Sequence, residues 1–112
     1  MSVADTFTKL AAGIEKNKEK ATSVNAVFQF DITGDGGGQY AVDLRQSTTS
    51  NFVIEGTSPD AAVTITVGAA DWLGILGGTV NPMQAFMMGK FKVSGDMGLA
   101  MKLQSVLSLA AG

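Results

Sequence analysis

The chain reads as an α+β domain: a five-stranded, mostly antiparallel sheet covered on one face by helices. Three observations predict it. Short segments alternate apolar and polar residues, as in Phe28, Phe30 and Ile32 set between Gln29 and Asp31. Apolar residues recur at helical spacing near both ends of the chain. The 112 residues are 46% apolar, enough for one core with no room for a second, so residues 1–112 are expected to form one domain.

The elements follow in order. Ser2 with Asp5 forms a capping-box start, and Val3, Phe7, Leu10, Ala11 and Ile14 share a helix face, which predicts a helix over about residues 3–20. Phe28, Phe30 and Ile32 mark a first strand, and Tyr40, Val42 and Leu44 a second. Gly34-Asp35-Gly36-Gly37-Gly38 lies between them and suits a hairpin connection. Phe52 and Ile54 mark a third strand, and Val63, Ile65 and Val67, alternating with threonines, a fourth. One apolar and one polar face per strand predicts an antiparallel sheet open to water on one side. Asp71 is read as the cap of a helix carrying Trp72, Leu73, Ile75 and Leu76 and ended by Gly77-Gly78. Asn81-Pro82 starts another helix, running to Gly89. Lys90 to Ser94 alternates as a fifth strand. Gly95-Asp96 opens a last helix with an apolar stripe of Met97, Ala100, Met101, Leu103, Val106, Leu107 and Ala110.

Composition excludes several functions. The net charge is −2 and Arg45 is the only arginine, so the clustered cations of a nucleic-acid binder are missing. Lys16, Lys18 and Lys20 are diluted by Glu15 and Glu19 and read as a solvated helix end or a weak docking site. Without cysteine or histidine, neither a disulfide nor a zinc site of the usual kind is expected. The glycine run is followed by a strand, which argues against a phosphate loop, and Asp31 with Asp35 is too sparse for calcium. No Gly-x-Ser-x-Gly elbow is present, and Asp43, Arg45 and Glu55 are expected to make cross-strand pairs on a wet face, so the chain is expected to be non-catalytic. The N-terminus lacks the features of a signal peptide, no run reaches the ~18 apolar residues of a membrane span, and the C-terminus is not a Ser-Lys-Leu address. The expectation is a cytoplasmic protein.

Two segments admit two readings each. The glycine-broken run Trp72 to Gly78 is either an ordinary buried helix or a mobile lid, since each glycine weakens a helix by about 1 kcal/mol relative to alanine. Five of the six methionines fall between Met83 and Met101 and are either core or an adaptable ligand wall.

The run Asn81-Pro82, Ala85-Phe86, Gly89-Lys90, Lys92, Gly95, Met97 through Leu103 and Gln104 closely resembles the C-terminal half of the sterol carrier protein type 2 domain. Weaker similarity at Val42-Asp43-Leu44, Thr64-Ile65-Thr66 and Asp71-Trp72-Leu73 extends it over nearly the full chain. Ala62 departs from the acidic residue that family members often carry there. The resemblance implies an apolar tunnel between sheet and helices and no metal or covalent cofactor. It implies binding of fatty acid, fatty acyl-CoA, sterol or phospholipid, with transient membrane or enzyme contact. Its tunnel, taken with helix-face spacing, makes Trp72, Ile75, Leu76, Phe86, Met87, Met101, Val106 and Leu107 the candidate wall. Phe28, Phe30 and Val93 are the candidate floor. Gly89 and Gly95 are read as backbone-conformation positions. The loop Thr22, Ser23, Val24 and Asn25 is the candidate head-group partner. A fatty acid or acyl-CoA carrier is the expected function, and an interaction module docking on a lipid-metabolism enzyme through its apolar helical face is the rival.

Overall fold

In the computed structural model, the residues described are 2–48, 51–102, 105 and 106. Five strands form one sheet: β1 (Val27–Thr33), β2 (Gly38–Asp43), β3 (Val53–Glu55), β4 (Val63–Gly68) and β5 (Phe91–Gly95), in the order β3-β2-β1-β4-β5. Three of the four pairings are antiparallel. The central one, β1 with β4, is parallel. The sheet is therefore mixed though mostly antiparallel, because β1 and β4 are joined by a long excursion through β2 and β3 rather than by a hairpin.

The helices are α1 (Val3–Lys16), α2 (Lys18–Thr22), α3 (Ala69–Gly77), α4 (Pro82–Met87) and α5 (Met97–Ala100). α1 opens with the expected capping box: the Ser2 hydroxyl accepts from Asp5 N, and the Asp5 carboxylate accepts from Ser2 N, each at 3.1 Å. It buries Val3, Thr6, Phe7, Leu10, Gly13 and Ile14. The single helix expected over residues 3–20 is instead broken at Asn17, whose backbone leaves the helical region while its side-chain amide donates back to Gly13 O. A short second helix follows.

Cross-strand partners share a face of the sheet. Phe28, Phe30, Val42, Val63, Ile65 and Val67 therefore point together under the helices, and all six are buried. The opposite face is less open than alternation suggests. Gln29 is only 5% exposed there, because the chain after β3 folds over it. Its amide donates to Gly56 O at 3.0 Å, and its carbonyl accepts from Ser58 N at 2.9 Å. β3 also shifts by one position from the expected register. Val53 lies opposite Val42 on the helix side, and Ile54 lies opposite Ala41 on the outer side, where it is exposed.

Asp71 does not cap α3. β4 runs straight into the helix, Gly68 occupies the cap position, and Asp71 lies in the first turn, where a carboxylate favours the helix dipole. The expected ends do occur. Gly78 adopts φ 83° at the end of α3, and the Asn81 side chain caps α4 by accepting from Met83 N at 2.8 Å and Gln84 N at 3.3 Å. α4 ends at Met87 rather than Gly89, in a turn where Lys90 N donates to Ala85 O and Gly89 N to Phe86 O.

Candidate functional site

The helix-facing side of β1, β4 and β5 is the candidate floor: α3 packs on β1 and β4, α4 on β5, α5 on β4 and β5, and Val106 joins the same core. Phe28 and Phe30 are fully buried in that floor and Val93 is partly buried. Over it stands an aromatic stack. Phe7 lies parallel to Trp72 with centroids 5.0 Å apart and parallel to Tyr40 at 4.1 Å, while Phe30 meets Trp72 at 5.3 Å with the rings tilted. Trp72 is completely buried. Its Nε1 donates to Thr6 Oγ1 at 2.7 Å, and that hydroxyl donates to Val3 O at 2.6 Å. Removing the hydroxyl would leave a buried indole N–H unpaired, a cost of roughly 1–3 kcal/mol. α3 is thus bolted to α1 through Trp72, which favours the buried-helix reading of that segment over a freely moving lid.

The seven wall candidates among the described residues separate into two groups. Trp72, Ile75 and Val106 are buried and Leu76 is partly buried. Phe86 is 40% exposed, Met87 78% and Met101 84%. Leu107 lies outside the described residues, as do Leu103 and Ala110 of the expected last stripe. Phe86 leans edge-on against Phe91 with centroids 6.0 Å apart, so α4 is anchored on β5 while its methionines face out. The methionine run is therefore not core: Met83, Met87, Met88, Met97 and Met101 are all exposed.

α5 begins where Asp96 caps it, its Oδ1 accepting from Gly98 N at 2.9 Å and Leu99 N at 3.2 Å. Gly95, just before, has φ 108° and lies opposite Val63, and a Cβ there would stand 2.5 Å from Ala62 O. Only glycine lets β5 approach β4 so closely at that point, which agrees with its reading as a backbone position.

The head-group candidates sit at the turn from α2 into β1. The Thr22 hydroxyl donates to Lys18 O and the Ser23 hydroxyl to Lys20 O, while Val24 packs on the core. Asn25 adopts φ 53°, and its Oδ1 accepts from Gln46 N at 3.1 Å. Most of the loop's polar groups are therefore engaged within the fold, and Asn25 Nδ2 is the one side-chain donor there without a partner among the described residues. Asp43 and Arg45, expected to pair across strands, pair with each other at 2.8 Å where the chain leaves the end of β2, and Arg45 reaches on to Asp60 at 3.4 Å.

Sequence reasoning missed Leu73, Val80 and Leu99, partly buried apolar residues packed on the same core, and Thr6 as the partner of Trp72. Thr6 carried a signal: it is a polar residue inside the apolar face of α1.

Known proteins with this arrangement are found by sequence and by structure. The chain is 33% identical over 107 residues to hydroxysteroid dehydrogenase-like protein 2 of Bos taurus, covering 96% of this chain and 25% of that protein. It is 37% identical over 95 residues to sterol carrier protein 2 of Rattus norvegicus, covering 82% of this chain and 17% of that protein. The chain thus spans a quarter or less of the length of these relatives. The solution structure of palmitated SCP2L2 from Aedes aegypti superposes with a TM-score of 0.76 at 35% identity, covering 96% of this chain and 95% of that one. The model of the SCP-2 sterol transfer family matches residues 7–108, and with these relatives it establishes that the chain belongs to that family.

Proposed function

We propose that this domain is a non-catalytic carrier that takes up one fatty-acyl chain between its sheet and its helices and releases it elsewhere. The observation that carries the reading is the division of the apolar residues around one floor. Trp72, Ile75 and Val106 are buried and Leu76 is partly buried, while Phe86, Met87 and Met101 are exposed; the first four, with Leu107 following in sequence, are proposed as the closed part of the wall and the last three as its open rim. A flexible chain inserted between them leaves water at ~25 cal/mol per Å² of apolar area. Methionine side chains adapt to such a chain at little cost, which suits broad selectivity. The palmitate on the Aedes aegypti relative supports fatty acid as the ligand class. Fatty acyl-CoA, sterol and phospholipid are the other ligands the site is proposed to accept. The polar end is assigned to the loop Thr22–Asn25, where Asn25 Nδ2 is free to donate.

Native mass spectrometry of freshly purified protein, followed by solvent extraction, tests this. The expected result is one extra lipid mass per chain that disappears on extraction. Leu76→Trp, which fills the proposed space, is expected to reduce uptake of a fluorescent fatty acid at least about tenfold while the variant stays folded. Bare protein that also takes up no fatty acid would overturn the carrier reading in favour of docking on an enzyme.

A further inference from the structure

Methionine is sorted from the other aliphatic residues in this protein. Every described leucine and valine is buried or partly buried, whereas Met83, Met87, Met88, Met97 and Met101 are all exposed. Exposure runs from 51% at Met97 to 84% at Met101, so a reagent in water reaches all five side chains. They lie on α4 and α5 or at the C-terminal ends of these helices, and both helices pack on β5. The chain has no cysteine, so these five and Met1 carry all of its sulfur. Trp72, the one indole, is fully buried with its N–H held by Thr6 Oγ1. Oxidation by a hydroperoxide therefore falls on thioethers, and five of the six share one flank.

The position of these sulfurs separates two consequences of oxidation. A sulfoxide turns a flexible apolar side chain polar and disrupts any core that contains it. No described methionine belongs to this core, so the fold is spared. α4 is held without sulfur, by Phe86 against Phe91 and by the Asn81 cap. The proposed rim is not spared, because Met87 and Met101 are the two most exposed of the five. An oxygen added there puts a polar acceptor where an acyl chain would make apolar contact. The flank also supplies donors for that oxygen. Lys90, Lys92 and Lys102 are exposed and form no ion pair among the described residues, and the Asp96 carboxylate is occupied by the N–H groups it caps.

We propose that Met87 and Met101 are a reversible modification site for hydroperoxides, and that their sulfoxidation weakens the hold on an acyl chain while the fold stays intact. With hydrogen peroxide, the thioether sulfur attacks one peroxide oxygen. An S–O bond forms, the O–O bond breaks, and the second oxygen leaves with both hydrogens as water. Sulfur gives up two electrons and the peroxide takes them. Methionine sulfoxide reductases reverse the step at the expense of thiols, and exposed side chains are open to them. The effect on cargo rests on the carrier reading, whereas the modification itself does not.

The test treats the delipidated full chain with hydrogen peroxide, removes the peroxide, maps the sulfoxides by peptide mass spectrometry and then titrates a fluorescent fatty acid. Met101 and Met87 are expected to oxidise before Met97. Affinity for the fatty acid is expected to fall about fivefold or more, and to return after treatment with methionine sulfoxide reductases and dithiothreitol. The melting midpoint of the ligand-free protein should move by no more than about 3 °C. Each variant is compared with its own untreated form. Met87→Leu with Met101→Leu should lose most of the response to peroxide, whatever its starting affinity, and Met83→Leu with Met88→Leu should keep it. Met87→Gln with Met101→Gln, which makes the rim polar without an oxidant, should lower uptake by a similar factor. Oxidised wild type that binds like the untreated protein overturns the proposal, as does oxidised protein that has unfolded. A response that persists in the Met87 and Met101 leucine variant overturns it too. Untreated wild type that takes up no fatty acid overturns the carrier reading and the cargo effect with it, a failure visible before any peroxide is added.

Discussion

Asp43 shows how one charge is held on the outer face of the sheet. The Arg45 guanidinium donates to both carboxylate oxygens, at 3.0 and 2.8 Å, and holds the Asp43 carboxyl at about 2, below its ordinary 3.8. A folded pKa below the unfolded one means that the folded state binds fewer protons. The stabilisation is therefore complete above about pH 4 and is lost as pH falls toward 2. Arg45 remains 42% exposed, so solvent screening keeps the contribution near about 1 kcal/mol. Asp43→Asn is expected to lower stability by about that amount at neutral pH, with the gap to wild type closing between about pH 4 and 2. Denaturant titrations across that range would show it, and a gap that stays constant would contradict the assignment. At this scale sequence reading was uneven. Ser2, Asp5, Asn81 and Gly95 announced their roles because each acts through its own backbone neighbourhood. Trp72 did not, because its hydrogen-bond partner Thr6 lies 66 residues away. Met87 and Met101 have the same residue type whether they line a core or face water, and only the packing separates the two.

The three glycines of the α3 segment resolve into different functions at the level of the element. Gly74 lies under the returning chain: its carbonyl accepts from Thr79 N and Val80 N, and a Cβ there would stand 2.5 Å from Val80 Cγ2 and 3.2 Å from Thr79 Oγ1. Gly77 has open space around it and ordinary helical backbone, while Gly78 makes the left-handed turn. Alanine therefore should act oppositely at two neighbouring sites. Gly77→Ala is expected to stabilise by about 0.5–1 kcal/mol, and Gly74→Ala to destabilise by about 1 kcal/mol or more despite its better helix propensity. Thermal melts of the two variants decide it, and stabilisation by both would mean that α3 does not press on Val80. Element starts and stops marked by caps were readable from the sequence. The break at Asn17 was not, since the apolar face of α1 carries no sign of it. The register of β3 was also missed, because Phe52, Val53 and Ile54 are all apolar and a three-residue strand offers too little alternation to set its face.

For the whole molecule, the carrier reading predicts a stability that depends on ligand. Anything that binds only the folded state adds about 2.7 kcal/mol at a hundredfold excess over Kd. Saturating palmitate is therefore expected to raise the melting midpoint of delipidated protein by roughly 10 °C. An unchanged midpoint would count against an acyl-sized site. The sheet-and-helix architecture was legible from alternation and helical spacing. The order of the strands was not, since the β1–β4 pairing joins segments far apart in the chain and leaves no local mark. That pairing has a consequence for how the protein is made. As the chain leaves the ribosome, β1 can hairpin with β2 at once, but its other edge stays unpaired until β4 has emerged. During that interval a strand bearing Phe28, Phe30 and Ile32 is an open template for mispairing. The nascent domain is thus most exposed to aggregation before Val63–Gly68 appears, and completion of the centre of the sheet is a late event in its biogenesis.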